Sequence, residues 1–467
     1  MSVWTEVQRD IEEFTADIRS QRVVNEVSPH AIREDIQARF NFATPVPLVE
    51  LTRTVAGLLR SSIVHVTHPR YFGLFNPSVR NAGIVADTLA AAYNPQLATW
   101  SHSPAANELE RVTLRYFIRA LGLDPEKTFA NFTTGGQEAN TSAVLAALED
   151  RFPDVAEAGT SVARDPVIYL TGESHHSFVK IARMTGIGTR ALREIPVTAA
   201  FTFDTEALQR QIQADLRAGR RPFMIVGTAG TTGGGVVDPL PALADVAALY
   251  RLWFHVDAAW GGAAVLVPRL RSALEGIERA DSITWDAHKW LSVPMGAGMF
   301  FCRSPEAVGR AFGVSTTYMP RRAGLETTDP YVTTMQWSRR AIGLKVFMTL
   351  AELGGAGFGE MIDGQARMGD ELRVLLRDSG WVIVNETMLP LVCFTHSDIR
   401  AGRISTSDVL ETIYARGNVW ISDVVLGGRE RVLRACITSF RTERRDLMCL
   451  VEELEIARRE HQIHSFA

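Results

Sequence analysis

A lysine follows a histidine where an apolar run stops, in Ser282-Ile283-Thr284-Trp285-Asp286-Ala287-His288-Lys289-Trp290. Lysine is rarely buried without a partner, and a lysine that loses solvation becomes the nucleophilic amine that Schiff-base chemistry requires. A solvated strand-end lysine is the plainer reading of the pair alone, so its companions decide. Thr133-Thr134-Gly135-Gly136-Gln137 precedes a helical stretch, 141–150. Paired glycines at a helix start bring backbone N–H groups and the positive end of the helix dipole to an anion such as a phosphate. The run fits neither a Walker loop nor a Gly-x-Gly-x-x-Gly fingerprint. His255-Val256-Asp257-Ala258-Ala259 ends an apolar run at a carboxylate. A buried carboxylate needs a cationic or hydrogen-bonding partner; a protonated pyridine nitrogen would serve, and Ala258 and Ala259 leave room for a flat ring. Gly172-Glu173-Ser174-His175-His176-Ser177 offers a histidine to stack on that ring, and Gly227-Thr228-Ala229-Gly230-Thr231-Thr232-Gly233 offers hydroxyls. Each cluster alone also reads as a capped helix or a loop. The two histidines lack a third ligand, so no metal is expected. Together the clusters describe a pyridoxal 5'-phosphate site, in which Lys289 holds the aldehyde, Asp257 keeps the ring nitrogen protonated, and the ring serves as an electron sink.

Alternating elements must position these groups. Strands are expected at 166–171, 191–197, 223–228, 253–258, 282–285 and 298–302, most of them nearly continuous apolar runs of the kind buried on both faces of a sheet. The helix between two of them carries Leu240, Leu243, Val246, Ala247 and Tyr250 at helical spacing. This alternation predicts an α/β domain with a mainly parallel sheet and functional residues at the strand carboxyl ends. We expect an N-terminal helical segment, 1–84, too sparse for its own core. A large α/β domain, 85–350, follows. A small α+β domain, 351–467, completes the chain, with strands at 381–384, 390–395 and 432–438. A helix over 338–353 begins beside Arg339 and Arg340, which could reach a substrate carboxylate or serve the fold.

The 467 residues are 46% hydrophobic and 22% charged with net charge -4. That balance is globular and gives no overall electrostatic footprint for nucleic acid. Cys302, Cys393, Cys436 and Cys449 form no Cys-x-x-Cys pair, so free thiols and a cytoplasmic location are expected. No signal peptide or membrane span is expected.

Six ordered motifs carry a resemblance to the group II pyridoxal-phosphate amino acid decarboxylases, the family of aromatic amino acid, glutamate, cysteine sulfinate and diaminobutyrate decarboxylases. They are His68-Pro69-Arg70-Tyr71-Phe72, Ser103-Pro104 through Glu108-Leu109-Glu110, the Gly135-Gly136 and Asp257 segments, Gly276 through Lys289, and Leu433-Arg434 through Arg441-Thr442. The resemblance implies fold type I, a homodimer with the active site at the subunit interface, and decarboxylation of an L-amino acid to a primary amine and carbon dioxide. It implies catalytic roles for Lys289, His176, Tyr331 and Asp257, with His176 as the stacking ring. It implies cofactor contacts from Gly135, Gly136, Gln137, Thr228, Thr231, Ala259, Asp286 and His288, with no metal. Tyr331 matches the loop tyrosine that returns a proton, with Tyr318 the weaker candidate. Members lacking a tyrosine there can form an aldehyde.

Substrate signals conflict. Leu74 stands where aromatic-substrate members carry an aromatic residue, and Asn76 adds a polar group. Asp257-Ala258-Ala259-Trp260 looks like the glutamate and cysteine sulfinate branch, whereas Ser101-His102-Ser103-Pro104 looks like diaminobutyrate-type or aromatic enzymes. Alternatives are an aldehyde-forming oxidative deaminase, a β-carbon lyase needing a reactive cysteine, and a silent binding protein.

Overall fold

Runs rich in Val, Ile, Phe and Trp alternate with helices from residue 129 onward. The computed structural model, which describes residues 2–317 and 327–464, gathers them into two sheets. The large sheet holds β1 (Phe129–Thr133), β2 (Pro166–Thr171), β3 (Leu192–Ile195), β4 (Arg221–Thr228), β5 (Trp253–Asp257), β6 (Ser282–Asp286) and β7 (Gly298–Cys302), in the order β1-β7-β6-β5-β4-β2-β3. Pairs β6/β5, β5/β4, β4/β2 and β2/β3 are parallel, and β7 runs antiparallel to both its neighbours. Every residue of β5, β6 and β7 is buried, which is why these strands show no polar alternation.

The expected limits of β2 and β7 match the structure. The strand expected at 191–197 is shorter, since Thr189–Ala191 is a tight helical turn and Pro196 has no N–H for the ladder. Strand β1 was not expected. Asn131 interrupts its apolar run and donates its amide N–H to the Phe132 carbonyl at 3.2 Å.

The small sheet holds β8 (Val382–Ile383), β9 (Leu391–Thr395), β10 (Ser422–Leu426) and β11 (Glu430–Cys436), all antiparallel, in the order β10-β11-β9-β8. Strand β10, a partly exposed edge, was also not expected. Leu389, Leu391, Cys393, Leu426, Val432 and Cys436 pack into the same core cluster as the large sheet, so the small sheet is seated on the large one. The helix Gly343–Asp378 joins the two and departs from helical geometry at Gly354, φ 65°. The boundary expected at 350/351 falls just before this break, at which two helices meet in a kink.

The N-terminal helices Val3–Ala16, Pro29–Arg39 and Leu48–Ser61 form an arm. Arg53 donates to Glu6 at 2.8 Å within it, and Arg19 donates to buried Asp446 at 2.6 Å, tying it to the last helix. Trp4, Phe42 and Leu48 remain exposed. Among the described residues no helix is long and apolar enough to cross a membrane.

Candidate active site

The carboxyl ends of β1, β2, β4, β5 and β6 open into one cavity of about 160 Å³, at the strand ends where an open α/β sheet places its ligand. Past β1 it is lined by Gly136 and Gln137, past β2 by His175, and past β4 by Thr228, Gly230 and Thr232. The end of β5 contributes Asp257, Ala259 and Trp260, and that of β6 contributes Asp286 and Lys289.

The helix Gly136–Arg151 begins at this cavity. A Cβ on Gly136 would lie 2.9 Å from Asp286 Oδ2 and 3.4 Å from Ala259 Cβ, so glycine keeps the helix start open. The acid of its first turn, Glu138, accepts from Thr134 N and Gln336 Nε2, each at 2.9 Å. Glu138 N donates to the Gly135 carbonyl at 3.1 Å, which leaves the Gly136 and Gln137 N–H groups at the helix start to take an anion. Lys289 Nζ lies 3.0 Å from Asp286 Oδ2 and 5.7 Å from the Phe75 ring centre.

Asp257 is buried and accepts from Asn140 Nδ2 at 2.9 Å and from the Ala259 N–H at 3.1 Å. Thr228 Oγ1 is buried without a hydrogen-bond partner. Its backbone N–H donates to Asp238 Oδ2 at 2.8 Å, and burial pushes the Asp238 carboxyl up to about 7. His175 faces the open cavity, and its Nδ1 accepts from Ser177 N at 3.1 Å. The surrounding protein lowers its pKa by desolvation, with Asp257 opposing.

The structure brings together Lys289, Asp257, Asp286, Ala259, Thr228, Gly136 and Gln137, all expected from the sequence. It places other expected residues away from the cavity wall. His176 is exposed and does not line the cavity; His175 does. Neighbouring residues at a helix start point about 100° apart, and here the first of the pair points inward. Thr231 is a turn residue whose Oγ1 accepts from Val236 N at 3.3 Å, and Thr232 takes its place in the wall. His288 lies outside the lining, with Nδ1 accepting from Ala297 N at 3.1 Å; burial lowers its pKa. Gly135 is one step back from the wall, where a Cβ would meet His288 Cε1 at 3.4 Å.

Tyr331 is buried outside this cavity, its ring 5.1 Å from that of Trp337 and its N–H on the Ala98 carbonyl at 3.1 Å. Tyr318 lies outside the described residues. Arg339 is a fold residue, buried and donating to Glu110 Oε2 at 3.1 Å. Arg340 reaches Asp87 instead.

Four residues in or beside the quoted segments received no individual role from the sequence. Asn140 lies four residues after Gly136 on the same helix, and that spacing was the available signal. Phe75 and Trp260 stack at 4.6 Å and both line the cavity. Arg434 is a buried charge inside β11, donating to the carbonyls of Thr232 and Gly73 at 3.0 Å each, and its guanidinium lies 4.8 Å from the Phe75 ring centre. Its Nη2 is buried without a partner. Cys302 is buried in β7 and its thiol is pushed up to about 12, far from the thiolate that a cysteine-dependent lyase needs. Among the described residues no cluster of His, Cys, Asp or Glu could hold a metal.

An amine, a buried carboxylate, a free buried hydroxyl and an open helix start on one cavity fit pyridoxal phosphate. The family model described as the pyridoxal-dependent decarboxylase conserved domain matches residues 29–397. Tyrosine decarboxylase 3 of Petroselinum crispum is 30% identical over 439 residues, covering 89% of this chain and 84% of that protein. The 4-hydroxyphenylacetaldehyde synthase of Rhodiola rosea is 30% identical over 405 residues, covering 84% and 82%. The structure of Oryza sativa TDC with PLP and tryptamine superposes with a TM-score of 0.92 at 25% identity, covering 98% of this chain and 97% of that one.

Proposed function

The chain belongs to the pyridoxal-dependent decarboxylase family, and from that premise we propose how its residues divide the work of removing carbon dioxide from an amino acid. The protein is a pyridoxal-phosphate-dependent carboxy-lyase of fold type I acting on amino acids. When bound, the cofactor supplies a ring that draws off the charge left at the substrate α-carbon. The remaining assignments are our reading of the cavity.

Lys289 is the amine that tethers the cofactor and gives it up to the substrate. Asp257 holds a proton at the ring nitrogen. The helix start at Gly136 and Gln137 binds the phosphate, and Thr228 offers its spare hydroxyl. His175, in place of His176, covers one ring face, and Ala259 leaves space on the other. Arg434 turns its spare Nη2 to the substrate carboxylate, from a position over Phe75 that excludes water. The observation carrying this reading is that Lys289, Asp257 and the helix start at Gly136 line one cavity.

An aromatic amino acid is the substrate class we propose, supported by the stacked Phe75 and Trp260 wall. Tyr331 is the proposed proton donor to the α-carbon. That role requires it to leave Trp337 or to serve a second protomer, and a homodimer is supported by the exposed Trp4, Phe42 and Leu48 of the arm. The four free cysteines support a cytoplasmic location. The division at 1–84, 85–350 and 351–467 is retained as a proposal, with Gly354 marking the second joint.

Carbon dioxide release measured over a panel of aromatic, acidic and diamino acids tests the substrate class. Lys289→Ala should abolish both turnover and the borohydride-sensitive absorbance of the holoenzyme; retained turnover refutes the role of Lys289. A second reading, aldehyde formation, has support in the placement of Tyr331 outside its own subunit's cavity. Ammonia and peroxide release in step with carbon dioxide would establish it.

A further inference from the structure

Asp257 ends a row of buried polar groups that the roles above leave unused. Trp253 Nε1 donates to Ser282 Oγ at 2.8 Å, and Ser282 Oγ lies 2.8 Å from His255 Nδ1. His255 Nε2 lies 2.9 Å from Asn140 Oδ1, which also accepts from Thr284 Oγ1 at 2.6 Å. Asn140 Nδ2 then donates to Asp257 Oδ2 at 2.9 Å. Every member is at most 4% exposed, so none can exchange a poor partner for water.

The direction of the row follows from its chemistry. An indole N–H only donates, so Ser282 Oγ accepts from Trp253. The serine hydrogen then needs an acceptor, and His255 Nδ1 is the acceptor beside it. His255 therefore carries its proton on Nε2 and donates to Asn140 Oδ1, which turns the amide N–H toward Asp257. The reverse direction has two faults. The Ser282 hydrogen would lose its acceptor, and Asn140 Oδ1 would face the Asp257 carboxylate. Burial lowers His255 to about 4, which keeps the ring neutral and leaves one nitrogen able to accept.

We propose that this row is a polarity relay in which His255 is a positioning residue. It locks Asn140 with its amide N–H on Asp257, so that Asp257 stays a pure acceptor and the proton remains on the nitrogen of the bound cofactor ring. The proposal rests on the reading that Asp257 faces that nitrogen. A neutral amide between His255 and Asp257 is essential to it. A charged histidine in direct contact would compete with the ring for the carboxylate, whereas Asn140 orients the carboxylate without neutralising it. The relay also gives a reason for placing Ser282 and Thr284 on β6 opposite His255 and Asp257 of β5.

The test has two arms. In the apo protein labelled with ¹⁵N-histidine, His255 should remain neutral with its proton on Nε2 from about pH 5 to 8; a proton on Nδ1 or a charged ring overturns the proposal. In the second arm, apo protein is titrated with pyridoxal phosphate and followed by absorbance. Ser282→Ala and His255→Leu should each weaken binding by about ten-fold or more, the loss seen when outer-shell partners of a ligating group are removed. They should also bring the pH-dependent change of the bound cofactor's absorption band toward neutral pH. His255→Gln, which can accept with Oε1 and donate with Nε2, should recover most of both. Unchanged affinity and band in Ser282→Ala and His255→Leu, with Asp257→Ala impaired, overturns the relay. If Asp257→Ala itself binds like wild type, the assignment of Asp257 fails instead.

Discussion

Asp257→Asn isolates the charge of one carboxylate at nearly constant volume. A carboxylate on a protonated ring nitrogen contributes about 1.5–3 kcal/mol as a charged hydrogen bond, and Coulomb attraction near 4 Å at an effective dielectric of about 20 gives about 4 kcal/mol as an upper figure. Taking about 2–4 kcal/mol at about 1.4 kcal/mol per ten-fold, cofactor Kd should rise roughly 30- to 700-fold. A second effect acts before any cofactor binds. Both carboxylate oxygens accept hydrogen bonds, from Asn140 and from Ala259 N–H. The asparagine amide must therefore face one of those donors with its own N–H, at a cost of about 1–3 kcal/mol. The variant should unfold at lower denaturant in the apo form and bind weakly when folded. Absorbance titration of apo protein measures the first effect and urea unfolding the second. A folded variant with Kd within about three-fold of wild type would refute the pairing of Asp257 with the ring.

Acid should destabilise the protein through His68, whose Nδ1 accepts from Arg70 N at 2.9 Å while burial holds the ring down to about 4. The unfolded ring takes up a proton first, so stability is lost as pH falls from about 6.5 to about 4, by about 3 kcal/mol at about 1.4 per pH unit. His68→Asn keeps an acceptor for Arg70 and should reduce that slope in urea unfolding followed against pH, the remainder coming from His255, which burial also holds down to about 4. Asp238, raised to about 7, acts oppositely in both proteins, because its folded carboxyl keeps a proton that the unfolded chain releases above about pH 4. Gly262→Ala would place a Cβ 2.8 Å from Trp285 Cγ and should cost about 1–3 kcal/mol of stability; an unchanged urea midpoint would contradict that packing. Burial pushes Cys302, Cys393 and Cys436 up to about 12. A thiol reagent near neutral pH should thus modify only the less buried Cys449 in native protein, and all four cysteines after unfolding.

The chemistry of the site was legible in residue types at the ends of apolar runs. Lys289, Asp257, Thr228 and Gly136 stand at or just beyond the ends of β6, β5, β4 and β1, and a parallel sheet opens a pocket at those ends. Continuous apolar runs located the buried strands because both faces of the sheet are covered. Strands β1 and β10 escaped, one because Asn131 breaks its pattern and the other because an exposed edge needs no apolar run. The parting of His175 from His176, and of Thr232 from Thr231, could not be read from composition. Adjacent residues of the same kind differ only in direction, and direction is set by how the next helix or turn packs on the sheet. Tyr331 was identified by type and by family position, yet its ring lies against Trp337 outside the cavity. The sequence by itself determined which cofactor this protein takes, because that needs an amine, an acid and an anion cradle in a set order. Only the tertiary structure decided which neighbours surround Asp257, because Trp253 and His255 of β5, Ser282 of β6 and Asn140 of the helix Gly136–Arg151 form one row only where these three elements meet.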